Sequence, residues 1–121
     1  SKKVSDKNLA VQLFLRSNND LISNAKLILS SLSKKVITDF NISYKKSYVE
    51  AGSGSLPTEK MESIAISLKS KHKSSDKIYN YFLKQDLPVI GYIKNDIFYI
   101  DLKAIPNDQL SSLIKSISSI L

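Results

Sequence analysis

Val89-Ile90-Gly91-Tyr92-Ile93-Lys94-Asn95-Asp96-Ile97-Phe98-Tyr99-Ile100-Asp101-Leu102 consists of two β-branched and aromatic runs on either side of a polar turn. Asn95 and Asp96 tolerate the left-handed backbone that a tight turn demands, so the segment predicts a β-hairpin with strands over 89–93 and 97–102. Hairpin strands pair antiparallel, which excludes a doubly wound parallel sheet. Gly91 inside the first run predicts a bulge or a close approach by another backbone.

Upstream of the hairpin, Ser63-Ile64-Ala65-Ile66-Ser67-Leu68 alternates with the period of a strand. It follows Val49-Glu50-Ala51-Gly52-Ser53-Gly54-Ser55-Leu56-Pro57, which holds two of the chain's 3 glycines and one of its 3 prolines, the signature of a loop with special backbone needs. Val36-Ile37-Thr38-Asp39-Phe40-Asn41-Ile42-Ser43-Tyr44 is β-branched and aromatic and predicts another strand, or two bent segments.

Helices fill the intervals. Ser17-Asn18-Asn19-Asp20 is an S-x-x-D capping pattern, after which Leu21, Ile22, Ala25, Ile28, Leu29 and Leu32 share one helical face. Ser75-Asp76-Lys77 opens a shorter helix with Ile78, Tyr81 and Phe82 on one side and Pro88 beyond its end. Pro106 suits the first turn of a last helix whose stripe is Leu110, Leu113, Ile114, Ile117 and Leu121. Val11-Gln12-Leu13-Phe14-Leu15 is too short to assign, and residues 1–12 read as a lead-in. The order helix, strand, glycine loop, strand, helix, hairpin, helix predicts an α+β fold. Its mainly antiparallel sheet has about four strands with helices packed on it, and the 121 residues form one domain.

Composition narrows the chemistry. With 0 cysteines there is no disulfide scaffold, thiolate metal site or thiol nucleophile, which suits a reducing cytoplasm. No apolar run reaches membrane-spanning length and no signal-peptide core follows Ser1-Lys2-Lys3-Val4, so we expect a soluble cytoplasmic protein without a membrane partner. The net charge of +7 invites a nucleic-acid partner. Of 18 cations, however, only Arg16 is arginine, the side chain suited to bidentate contacts with phosphates and bases.

Catalytic patterns are sparse. Gly52-Ser53-Gly54-Ser55 lacks both the P-loop Lys-Ser ending and the G-x-S-x-G spacing of a nucleophile elbow, and it precedes a strand. Asp96 and Asp101 share a hairpin without a partner acid, base or metal, and are read as surface charge or a turn cap. His72, isolated among lysines, is read as a solvated side chain, with no metal site implied. Tyrosines 44, 48, 79, 81, 92 and 99 are read mostly as core or cross-strand pairs, with base stacking as the alternative.

Two of these motifs together resemble one family. Val49 to Pro57, followed by Ser63 to Leu68, is similar to the V-G-G-G-S-L-P segment and the S-x-A-I-x-L strand of bacterial selenocysteine synthase, L-seryl-tRNA(Sec) selenium transferase. Leu87-Pro88-Val89-Ile90-Gly91-Tyr92-Ile93, continuing to Asp101-Leu102-Lys103, resembles the same family's P-V-I-G-R-I hairpin ending in L-D-L-R. Tyr92 and Lys103 stand where the family has arginine, and Ser53 where it commonly has glycine.

The resemblance implies the small C-terminal domain of a fold-type-I pyridoxal-phosphate enzyme that converts seryl-tRNA(Sec) to selenocysteinyl-tRNA(Sec) with selenophosphate. It further implies that the cofactor lysine lies upstream, so this fragment carries no catalytic residue and binds no cofactor. Gly52, Gly54, Ser55, Leu56 and Pro57, with Gly91 and Tyr92, would face the active site. The implied partners are the upstream catalytic domain, further copies in a homo-oligomer, and seryl-tRNA(Sec). The other readings are a divergent pyridoxal-phosphate enzyme of this family that does not act on tRNA, and a basic RNA-binding or oligomerisation module.

Overall fold

A computed structural model describes residues 17–51 and 59–121. Helix α1 (Asn18–Ser31) starts where the capping pattern predicts, with the Ser17 hydroxyl accepting from the Asp20 amide at 3.2 Å. It buries Leu21, Ala25 and Ile28.

The chain then departs from the predicted strand over 36–44. Ser33 caps a second helix, α2 (Lys34–Asp39), by accepting from the Val36 amide at 3.2 Å. Val36 and Phe40, four residues apart, are both buried on the core side. The cap and this shared face outweigh the β propensity of Val36, Ile37 and Thr38, which is a weak preference that packing readily overrides. Asn41, at φ 46°, ends the helix and donates from Nδ2 to the Lys69 carbonyl at 2.9 Å.

Strand β1 (Ser43–Ala51) pairs antiparallel with β2 (Glu59–Leu68), from Ser43 opposite Ser67 to Ala51 opposite Glu59. Both strands run further toward the glycine segment than alternation predicted, because Lys45, Lys46 and Lys60 leave no apolar periodicity to read. Helix α3 (Ser75–Leu83) is capped by Ser74, whose hydroxyl accepts from the Lys77 amide at 3.2 Å.

The hairpin forms as β3 (Tyr92–Lys94) and β4 (Ile97–Asp101), with Asn95 and Asp96 left-handed at φ 53° and 64°. Val89 to Gly91, expected in the first strand, lie outside it. The Val89 amide instead donates to the Phe82 carbonyl at 3.0 Å, tying this segment to the end of α3. Leu102, expected at the end of the second strand, opens a 3-10 turn (Leu102–Ala104). A further 3-10 turn (Asn107–Gln109) leads into α4 (Leu110–Ser118), whose buried residues are Leu110, Leu113 and Ile117.

The strands form one four-stranded sheet in the order β1-β2-β4-β3, each pair antiparallel, so the fold is α+β as the element order predicts. Ile64, Ile66 and Leu68 of β2 join Phe98 and Ile100 of β4 and the apolar faces of the helices in a single core. Phe82 stacks on Phe98 with ring centres 5.3 Å apart, and Tyr79 meets Phe98 edge-on. The Tyr81 hydroxyl donates to the Ser116 carbonyl at 2.6 Å, fastening α3 to α4. Because side chains alternate along a strand, Ser63, Ala65 and Ser67 point to the opposite face. That face carries the candidate site.

Candidate functional site

On the polar face β2 carries only the small side chains of Ser63, Ala65 and Ser67, all buried beneath larger side chains from the strands on either side. Those larger side chains border a groove of about 550 Å³. Register assigns Lys45 and Ser47 of β1, Tyr99 of β4, and Tyr92 and Lys94 of β3 to this face, with Asn95 following in the turn. Lys46, Tyr48 and Lys60 alternate with the face's own residues and border the groove from the β1–β2 ribbon. None of the described lining residues is acidic.

Register also accounts for the tyrosines. Tyr92 and Tyr99 are cross-strand partners, and their rings stack 5.3 Å apart at 20°. This is the cross-strand role expected of them. Tyr48, by contrast, is 60% exposed and belongs to no core pair. Partial burial, then the negative charge of Asp101 and the neighbouring Tyr99, hold the Tyr92 phenol above its ordinary pKa, with the Ser47 hydroxyl opposing. Tyr92 therefore stays neutral at physiological pH, and the lysines set the sign of the groove.

Beside this surface Asp101 is 9% exposed, not the surface charge one reading predicted. Ser47 donates to its Oδ2 at 2.9 Å, and fully buried Ser63 donates to its Oδ1. The Lys103 amide also donates to Oδ1, so Asp101 does cap the turn that follows β4. Asp96 is exposed at the hairpin tip, where its carboxylate accepts from Ser75 Oγ at 2.9 Å and Lys69 Nζ at 3.3 Å. This fixes the turn that carries Lys94 and Asn95 to the groove. Ser75, then Lys69 through its hydrogen bond and charge, hold the Asp96 carboxyl below its ordinary pKa.

Of the residues singled out by resemblance, Gly52, Gly54, Ser55, Leu56 and Pro57 lie outside the described residues. Tyr92 lines the groove, and Gly91 lies next to it under tight contact: a Cβ there would stand 2.3 Å from the Tyr99 carbonyl oxygen and 2.4 Å from Phe98 Cζ. The predicted close approach is real. His72 is exposed, and the described residues contain no group of three or more His, Cys, Asp or Glu side chains placed to hold a metal. Sequence reasoning missed Lys45, Lys46, Lys60 and Lys94 as a group, since their convergence depends on strand order and not on spacing along the chain.

A pyridoxal-phosphate lysine needs its amine at a pocket large enough for the ring. The buried lysine of the described residues, Lys103, donates from Nζ to the Glu62 carbonyl at 2.9 Å and does not line the groove. The groove lysines border an open surface. The described residues therefore do not fit that cofactor.

With the described helices on one face of an antiparallel sheet and a groove of lysines and tyrosines on the other, the protein is of the α+β class. The chain belongs to the L-seryl-tRNA selenium transferase family, whose model matches residues 1–106. Among curated relatives, it is 25% identical over 111 residues to the L-seryl-tRNA(Sec) selenium transferase of Alkaliphilus oremlandii, covering 92% of this chain and 24% of that protein. The Campylobacter concisus protein of the same name is 27% identical over 119 residues, covering 90% of this chain and 25% of its own length. For the Haemophilus influenzae protein the figures are 25% over 105 residues, 86% and 23%. The chain thus spans about a quarter of the length of these relatives. No described helix is long and apolar enough to cross a membrane.

Proposed function

We propose that this chain is the C-terminal domain of a pyridoxal-phosphate-dependent L-seryl-tRNA(Sec) selenium transferase, acting on seryl-tRNA(Sec) with selenophosphate to give selenocysteinyl-tRNA(Sec). The observation that carries this reading is the family match over residues 1–106, with relatives about four times as long. In that enzyme the cofactor lysine belongs to an upstream catalytic domain, where the cofactor supplies the electron sink for loss of the seryl hydroxyl. This domain's part is to close and shape the site. In this reading Gly52, Gly54, Ser55, Leu56 and Pro57 face the active site, and Gly91 and Tyr92 are a second group that does so. The working enzyme is a cytoplasmic homo-oligomer.

Two measurements test this. The coding sequence upstream of Ser1 is expected to specify a large α/β domain with a cofactor lysine, and a start codon close to Ser1 would defeat the proposal. Incubation of the chain with pyridoxal phosphate and borohydride is expected to leave no stoichiometric adduct. Trapping one equivalent on a single lysine would assign the cofactor to the wrong domain.

A further inference from the structure

We propose that the sheet face opposite the described helices is a binding site for single-stranded nucleic acid, with a base stacking on the Tyr92–Tyr99 pair and phosphates held by Lys45 and Lys94. The site is built by the groove alone, and its failure would leave the selenium-transferase reading untouched.

Three features of the groove converge on this ligand. First, the stacked tyrosines are flanked by Lys45 of β1 and Lys94 of β3, so a π-face lies between two cations, as a base lies between phosphates along a single strand. Tyr92 is held on one face by Tyr99, so its ring is already oriented and loses little freedom when a base arrives. As a neutral phenol it does not repel phosphate.

Second, the span fits. From β1 to β3 there are three inter-strand steps, roughly 14 Å at about 4.8 Å each, a width over which four-stranded RNA-binding sheets stack two or three bases. Ser63, Ala65 and Ser67 are buried beneath it, so the ligand would lie along the exposed tyrosine and lysine side chains and not on β2 itself.

Third, the described lining of the groove carries four lysines and no carboxylate, and the nearest acidic group, Asp101, is buried below it. Asp101 is enclosed by the Ser47 and Ser63 hydroxyls, and the other carboxylate of the hairpin, Asp96, is turned to Lys69 and Ser75. A duplex offers the lysines its phosphates but hides its bases from the tyrosines. An acidic peptide offers carboxylates but no ring to stack. Lysines without arginine suit a sequence-tolerant backbone contact, in place of base reading.

The test uses the chain as it stands, with labelled eight-nucleotide RNA and DNA strands, a duplex of the same sequence and polyglutamate as ligands. With 6 tyrosines and 0 tryptophans, intrinsic fluorescence reports stacking directly. We expect single strands to bind more tightly than duplex or polyglutamate and to quench tyrosine emission, with a salt slope near −3 for about four displaced counterions. Tyr92→Ala is expected to weaken single-strand binding by about 5- to 100-fold and to leave duplex binding unchanged. Tyr92→Phe keeps the ring and is expected to bind like the parent, which separates lost stacking from misfolding. Lys45→Ala and Lys94→Ala are each expected to lower the slope by about 0.7. Equal affinity for strand, duplex and polyglutamate, or a Tyr92→Ala variant with parental affinity, would overturn the proposal. RNA tighter than DNA would assign the ligand to RNA, and parity to either strand.

Discussion

Ser63, with no exposed surface, donates its hydroxyl to Asp101, which sits diagonally across the β2–β4 ladder. Ser47 of β1 completes the arrangement from the other side of β2. Three of the four strands therefore meet at one carboxylate. Buried hydroxyls and carboxylates are tolerable only as a satisfied set.

Removing the acceptor strands the donor. Asp101→Ala leaves the Ser63 hydroxyl buried without that partner and uncaps the turn after β4, which we expect to cost about 2–4 kcal/mol from the stranded polar group and the lost charged hydrogen bonds together. Ser63→Ala is expected to cost less, about 1–2 kcal/mol, because Asp101 keeps Ser47 and the Lys103 amide. Urea unfolding checks both, and equal losses would mean that the Ser63 bond carries no separate weight.

Gly91 has backbone against it, not a movable side chain. The 2.3 Å that would separate a methyl carbon at this position from the Tyr99 carbonyl oxygen demands that β3 and β4 part, while Phe98 is pinned by its stack on Phe82. Gly91→Ala is therefore expected to destabilise by about 1–3 kcal/mol or more. Ile90→Ala, one residue away and 76% exposed in the parent, is the control, expected within about 0.5 kcal/mol of the parent. A neutral Gly91→Ala in the same denaturation series would show that the strands yield.

Ser33 separates helix from strand in the segment that local propensity misreads. Ser33→Ala removes the acceptor of the Val36 amide and is expected to cost about 1 kcal/mol. Amide hydrogen exchange is expected to rise at Val36 and Ile37, in the first turn of α2, before it rises in α1. Unchanged exchange there would mean that the burial of Val36 and Phe40 holds the helix without its cap.

How much the chain declares in advance follows from what kind of signal each element uses. The hairpin and α1 are legible because Asn95-Asp96 and Ser17-x-x-Asp20 are local devices whose chemistry acts within a few residues. Helix α2 is not, because Val36, Ile37 and Thr38 favour a strand locally and only the distant core rewards Val36 and Phe40 on one helical face. The groove is illegible for a related reason. Lys45 and Lys94 are separated in the chain by a long interval, and only the order β1-β2-β4-β3 brings them to one surface. Of the residues chosen by resemblance, Tyr92 reaches that surface, although nothing in its local sequence distinguishes it from Tyr99, its stacking partner.

The hairpin tip gives a pH signature. Asp96 is held ionised by the Ser75 hydroxyl and by Lys69, so its pKa in the folded chain lies below its ordinary value of 3.8. A depressed folded pKa means that the unfolded chain binds the proton more readily. The stabilisation is then fully present above the unfolded-state pKa and is lost as pH falls through the folded one. Asp96→Asn tests this without disturbing the backbone, since asparagine also accepts the left-handed φ of 64°. We expect the variant's stability, read as the urea midpoint, to fall less steeply with acid than the parent's below the ordinary aspartate range. At neutral pH the variant is expected to be the less stable of the two, and Ser75→Ala and Lys69→Met, made together in both backgrounds, to remove most of that difference. Parallel acid limbs for parent and Asp96→Asn would show that the contacts to Ser75 and Lys69 add nothing to folding, leaving the left-handed turn to set the hairpin.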